Sequence, residues 1–224
     1  MKRSEVNAII SEAKTFFAKH QFLLPEWALW TPKNWKNTYD QCSEIIDNSL
    51  GWDITDFGSG NFNKRGLVLF TIRNGNFTKK DKMYCEKIMI ADENQETPLH
   101  FHWNKTEDII NRGGGNLVME IYYATQDDSL SSEPVNVSID GVIHKVEAGV
   151  PLIIKPGSSI CLKQRVYHRF YGEPGKGKVL IGEVSAVNDD ANDNRFYEVI
   201  GRFPEIAEDM EPNHLLVNDY KKYL

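Results

Sequence analysis

Residues 98–107 read Pro-Leu-His-Phe-His-Trp-Asn-Lys-Thr-Glu, and three of them carry metal-ligand chemistry. His100 and His102 stand two apart, so in a β-strand both project from one face while Phe101 faces away. Glu107 follows five residues after the second histidine. Imidazole and carboxylate together suit a borderline divalent ion among Mn, Fe, Co, Ni and Zn. A bare His-x-His pair is more often incidental than metallic, so other segments must supply a further ligand, a pocket and proton-transfer groups. Among the remaining histidines, His20 and His214 fall in terminal segments and His144 follows an Asp140-Gly141 turn. His168 follows a Pro156-Gly157 turn and a strand, and Arg169-Phe170-Tyr171 reads as strand again. That path returns His168 to the first ligands from a neighbouring strand.

The elements that must position these residues are mostly strands. Residues 66–73, 84–91, 116–124, 135–139, 142–146, 151–155, 159–162 and 179–185 are short, β-prone and separated by turns at near-regular intervals. Such a series suggests a sandwich or barrel, and the lack of helix-length patterns between strands disfavours a parallel βαβ sheet. Asn74-Gly75 after the first of these strands reads as a tight hairpin turn. Ahead of the strands, Ser4 reads as an N-cap, and Val6, Ile9, Ile10, Ala13, Phe16 and Phe17 recur at helical spacing up to about His20. Thr31-Pro32 reads as an N-cap followed by proline at the first position of a second short helix. With no internal repeat or linker, residues 1–224 read as one domain: a helical segment over 1–50, a β core over 60–185 and an irregular tail over 186–224.

Composition narrows the function classes. The 224 residues carry a formal charge of -6, with Lys and Arg scattered in short pairs such as Lys79-Lys80, which argues against a nucleic-acid partner. No window approaches the apolar length of a membrane span, and the N-terminus lacks the apolar core of a signal peptide. Cys42, Cys85 and Cys161 are dispersed and odd in number, which fits a reducing, cytoplasmic setting better than a disulfide framework.

The spacing of His100, His102, Glu107 and Gly113 resembles the first cupin motif, and Pro156-Gly157 followed by His168 resembles the second with a longer interval. The segments Gly182-Glu183-Val184-Ser185, Val187-Asn188-Asp189-Asp190, Asp193-Asn194-Arg195-Phe196 and Gly201-Arg202-Phe203-Pro204-Glu205-Ile206 are similar to the D-lyxose isomerase family, as are the Ser4 helix and Trp27-Ala-Leu-Trp30-Thr-Pro32. This resemblance spans nearly the whole chain. It implies a cupin-type jelly-roll β-barrel with N-terminal helices packed on it. It also implies interconversion of D-lyxose with D-xylulose and of D-mannose with D-fructose, using a divalent metal, typically Mn²⁺, with Co²⁺, Fe²⁺ and Zn²⁺ as alternatives from the ligand types.

Aldose–ketose isomerisation moves a proton between C1 and C2 through an enediol and a second between O1 and O2. His100, His102, Glu107 and His168 form the expected metal set. Lys105 is a candidate for stabilising an oxyanion, with a pKa lowered by a neighbouring cation, against the plainer reading of an exposed loop lysine. Glu183, on a late apolar strand, is the candidate base, against a carboxylate in a barrel-edge salt bridge. Asp193 and Arg195 are expected to bind sugar hydroxyls or to form an ion pair in the pocket wall. Strand alternation pairs Lys87 with Met89 and Glu120 with Tyr122 as inward candidates. Trp27, Trp30 and Trp35 either line a sugar pocket or, for at least two of them, pack the helical segment on the sheet. The competing activities are a sugar-phosphate isomerase, with Lys163-Gln164-Arg165 and Arg169 as its phosphate site, a cupin dioxygenase and a non-catalytic sugar-binding cupin. The partner is a free sugar, and a homodimer through strand edges is the default assembly.

Overall fold

A computed structural model describes residues 1–79, 82–201 and 204–224. Lys80 of the Lys79-Lys80 pair and Arg202-Phe203 of the Gly201–Ile206 segment lie outside the described residues.

Helix α1 (Arg3–Lys19) comes first, then α2 (Pro32–Thr38) and α3 (Ser43–Asp47). The strands are β1 (Gly51–Thr55), β2 (Leu67–Arg73), β3 (Cys85–Ala91), β4 (His100–His102), β5 (Glu107–Gly114), β6 (Leu117–Tyr123) and β7 (Val135–Ile139). They continue as β8 (Val142–Val146), β9 (Leu152–Ile154), β10 (Ser159–Leu162), β11 (Val166–Gly172), β12 (Val179–Ser185) and β13 (Asn194–Phe196), and α4 (Tyr220–Tyr223) closes the chain. Two antiparallel sheets face one another as a cupin-type jelly roll with the N-terminal helices packed on it. The larger has the order β1-β2-β3-β12-β5-β10-β7-β8 and the smaller β13-β4-β11-β6-β9.

Alternation explains why the larger sheet is apolar on both faces. From β2, Leu67 and Leu69 enter the core between the sheets, while Val68 and Phe70 enter a second core beneath α1. Helix α1 meets that second core with Val6, Ile10, Ala13 and Phe17, buried at intervals of three and four residues. Its N-cap is Lys2 rather than the expected Ser4. Tertiary pairing prevails over local preference there: the Arg3 backbone N–H donates to Ala207 O at 2.9 Å, and Ser4 gives both its N–H and its hydroxyl to Asp209. The Thr31-Pro32 start of α2 is as expected, with Thr31 Oγ1 accepting from Asn34 N.

The Asn74-Gly75 hairpin is not formed. Eleven residues separate β2 from β3, neither residue of the dipeptide has a positive φ, and the Asn74 side chain is buried. The glycine run does serve backbone geometry: Gly114 has φ +83°, and a Cβ there would stand 2.2 Å from Lys178 O, where β5 crosses a register shift in β12. The tryptophans pack as the plainer reading has it. Trp35 is buried against Trp27, Trp30 and Tyr220 at ring distances of 6.4, 5.2 and 5.0 Å, and Trp52 donates its indole N–H to Ala28 O.

Candidate active site and metal centre

Each sheet contributes half of one cavity. In the smaller sheet, β11 pairs with β4 so that His168 stands opposite His100. Cross-strand partners share a face, and His102 shares it through the period of two. The three rings therefore converge, with centroids 4.2, 5.2 and 5.6 Å apart, and one ligand nitrogen from each falls within 4.8 Å of the others. In the larger sheet, Glu107 opens β5, and Glu183 on β12 pairs directly with Lys87 on β3. Lys105 arrives from the loop between β4 and β5. His100, His102, Lys105, Glu107, His168, Lys87 and Glu183 all line the same cavity.

The tautomers are set by the backbone. His100 Nδ1 lies 2.8 Å from Pro98 O and His168 Nδ1 lies 3.0 Å from Val166 O, so each Nδ1 donates and each Nε2 keeps its lone pair. Glu107 Oε1 stands 3.0 Å from His168 Nε2 and 3.4 Å from His102 Nε2. Burial, reinforced by His168 and His102, holds the His100 pKa well below the usual imidazole value, and burial followed by Lys105 lowers His102. Neutral imidazoles beside an ionised carboxylate are a ligand set for a divalent cation. His102 turns its Nε2 toward Glu107, while its Nδ1 is buried without a partner among the described residues. The residues therefore fit a metal.

Behind the ligands lies a line of buried charges. Lys105 Nζ meets Glu107 Oε2 at 2.8 Å, Glu183 Oε1 at 2.9 Å and Asn188 Oδ1 at 3.3 Å. Lys87 Nζ meets Glu183 Oε1 at 3.1 Å, Oε2 at 3.3 Å and Asn188 Oδ1 at 2.7 Å. Ser185, two residues along the same strand face, adds its hydroxyl to Glu183 Oε1 at 3.1 Å. Burial alone pushes both carboxylates up, but Lys105 and Lys87 outweigh it at Glu183, which is lowered, and Lys105 with His102 and His168 outweighs it at Glu107, which is held well below the usual range. Burial pulls Lys105 down, yet Glu107 and Glu183 prevail and its pKa is raised, the reverse of the expectation from sequence. The expectation considered a cation nearby and omitted two carboxylates within 3 Å.

Lys87 and Met89 face the cavity together, as alternation requires. Glu120, Asp193 and Arg195 are not among its lining residues. Met119 and Ile121 point into the core, so Glu120 lies on the outer face, where it binds Arg169 at 2.9 Å and Tyr171 at 3.3 Å. Asp193 spends both oxygens on the loop that carries Lys105, accepting from the backbone of Asn104 at 2.7 Å and of Lys105 at 3.0 Å. On β13 it is Asn194 and Phe196 that reach the cavity, which leaves Arg195 between them on the opposite side. Sequence reasoning missed Asn194, Phe196 and Thr97 as lining residues, although alternation about Arg195 carried the signal for two of them. Arg165 bonds Asp128, and Arg169 bonds Glu96 and Glu120, so neither is free to form a phosphate cradle. Of the other histidines, His214 bonds Trp30 O and Lys14, His20 packs on Phe16, and His144 is exposed on β8.

A sequence model of D-lyxose isomerase matches residues 1–220. The D-lyxose/D-mannose isomerase of Serratia proteamaculans is 48% identical over 227 residues, and that of Escherichia coli O157:H7 is 44% identical over 226, each covering 100% of both chains. Among solved structures, the L-ribose isomerase of Acinetobacter sp. DL28 is similar in fold, with a TM-score of 0.61 at 15% identity over 92% of this chain and 98% of that one. The L-ribose isomerase of Cellulomonas parahominis gives 0.60 at 14% identity over the same shares. With a model matching almost its whole length and relatives this close, the chain belongs to the D-lyxose isomerase family.

Proposed function

We propose that this protein is a metal-dependent aldose–ketose isomerase that interconverts D-lyxose with D-xylulose and D-mannose with D-fructose. The observation that carries the reading is the ionised Glu183 carboxylate, held by two lysines at the wall of the cavity that three histidines and Glu107 enter. His100, His102, Glu107 and His168 are the ligands. A divalent metal held there, Mn²⁺ in our reading, would supply Lewis acidity toward the sugar's oxygens.

The protein's own groups do the proton work. Glu183 removes the proton from C2 of the aldose; the C–H electrons form the C1–C2 double bond and the carbonyl electrons move to O1. Glu183, its captured proton exchanging with solvent, then protonates C1 while the O2 proton passes to O1 and the C2–O2 carbonyl forms, which completes the ketose. Glu183 Oε1 accepts from both lysines at 2.9 and 3.1 Å, whereas Oε2 keeps one contact at 3.3 Å, so Oε2 is the oxygen available for transfer. An ammonium has three N–H groups. Those of Lys105 are matched by Glu107, Glu183 and Asn188, so Lys105 ties the metal ligand to the base. Lys87 meets both oxygens of Glu183 and Asn188, and its charge helps hold the base ionised at the cavity wall.

Support for the remaining readings is of a simpler kind. The chain acts as one domain, because Arg3 and Asp219 join its two ends. It pairs as a homodimer, for which the exposed edge strand β8, with Val142 and Ile143 59% and 69% exposed, offers a surface. A reducing cytoplasmic setting agrees with three free cysteines, and no helix among the described residues is long and apolar enough to cross a membrane. The deciding assay uses metal-stripped, Mn²⁺-reconstituted protein against free pentoses, free hexoses and their phosphates. Conversion of free D-lyxose and D-mannose is expected, and turnover confined to phosphorylated sugars sinks the assignment.

A further inference from the structure

Resting on the isomerase reading, we propose that Asn188 is a positioning residue that sets both lysines against Glu183, and that Asn74 holds Asn188 in place. Lysine ammonium groups sit on flexible four-carbon stems, and two of them crowd one carboxylate oxygen here, at 2.9 and 3.1 Å from Glu183 Oε1. Asn188 Oδ1 accepts from both, at 2.7 Å from Lys87 and 3.3 Å from Lys105. A neutral amide oxygen gives the two cations a shared acceptor without adding a charge.

Asn188 follows the last residue of β12 by three positions and lies outside any strand, so something else must hold it. The holder is Asn74. Its Oδ1 accepts from the Asn188 backbone N–H at 2.9 Å and its Nδ2 donates to the Asn188 carbonyl at 3.0 Å, so one side-chain amide occupies both backbone polar groups. Asn74 is itself buried, with Nδ2 also 3.3 Å from Asn48 O and its own carbonyl accepting from Asn48 Nδ2 at 3.1 Å. Gly75 permits the approach: a Cβ there would fall 1.9 Å from Lys82 O and 2.8 Å from Val187 Cγ2. The Asn-Gly dipeptide that resembles a hairpin turn thus clamps the 187–190 segment, and through it the charges behind the metal ligands.

The test compares steady-state kinetics of wild type with Asn188→Leu, Asn188→Asp and Asn74→Ala, all loaded with Mn²⁺ and checked for metal content and thermal unfolding. Asn188→Leu, which loses the acceptor, is expected to lower kcat about 10–100-fold with KM and metal content within about twofold. Asn188→Asp, which keeps an oxygen facing both lysines, should recover at least about tenfold of that loss. Asn74→Ala should show the same kcat-selective pattern to a smaller degree. If Leu is not tolerated, Asn188→Ala replaces it with the same expectation. An active wild type with an unimpaired Asn188→Leu overturns this inference alone, and so does an Asp variant as slow as the Leu variant. Losses shared between kcat, KM and metal content also overturn it, because they mark a purely structural role. An inactive wild type overturns the isomerase reading, and this inference with it.

Discussion

Two buried charge clusters in this molecule look alike in composition and differ in what they leave open. At the chain ends, Arg3 is fully buried and its guanidinium forms two forks, with 2.8 Å bonds to both oxygens of Asp219 and bonds of 2.8 and 2.9 Å to Glu208. Four of its five N–H groups are matched, and nothing in the cluster faces a cavity. The cluster between the sheets is buried throughout and less saturated, whereas the Glu208 side chain at the chain ends is about a third exposed. Glu183 Oε2 has a single long contact, to Lys87 at 3.3 Å, and His102 Nδ1 has no partner among the described residues. Saturated charges hold a fold together, whereas unsaturated ones facing a cavity are available to a metal and a substrate.

Substitutions that empty one cluster should leave the other's property intact, and the largest effect is expected at the site. Glu107→Ala removes a metal ligand and the anion that Lys105 faces, so bound metal by elemental analysis and isomerase turnover should both fall by orders of magnitude, about 10²-fold or more in turnover. Retention of stoichiometric metal contradicts the ligand set. Next in size, Arg3→Met strands the buried Asp219 carboxylate, while Glu208 keeps Lys222, and should destabilise the fold by about 3–5 kcal/mol in urea unfolding, with kcat per folded molecule unchanged. A matching loss of kcat would mean that the two clusters are coupled. The smallest effect is a pH dependence. The Arg3 hydrogen bond, aided by Lys222 and opposed by burial, lowers Glu208 to about 2, below an unfolded carboxylate of about 4.3. A depressed folded pKa contributes stability that is fully present above the unfolded value and lost as pH falls through the folded one. The urea midpoint of wild type should therefore drop between about pH 4.3 and 2 more steeply than that of Glu208→Gln. Parallel curves contradict the clamp.

Legibility from sequence follows how local each cause is. His100, His102 and Glu107 were readable because strand alternation and a short loop decide their placement. His168 was readable because a Pro-Gly turn fixes the return path of its strand. Lys87 and Glu183 stood out as charges on apolar strands, and they prove to be cross-strand partners. Glu120 was misplaced because alternation pairs residues on a face without saying which face meets the cavity. Asp193 and Arg195 were misjudged for a different reason: the backbone of Asn104 and Lys105 claims Asp193, a demand that arises only once two distant loops meet. Asn74 fails in the same way, since its partners lie 26 and 114 residues away and outweigh the local turn preference. The Ser4 cap gives way to Asp209 across 205 positions.

The central claim is that Glu183 is the base of an enediol isomerisation at a metal centre it does not build. The direct measurement follows Mn²⁺-loaded wild type and Glu183→Gln with D-lyxose in D₂O by NMR, reading deuterium at the C1–C2 edge together with ketose formation. The account predicts that wild type forms D-xylulose with solvent deuterium entering the transferred position. It predicts that Glu183→Gln, with metal content unchanged, does both slower by about 10²–10⁴-fold. Turnover by Glu183→Gln within a fewfold of wild type, with its metal in place, would contradict it.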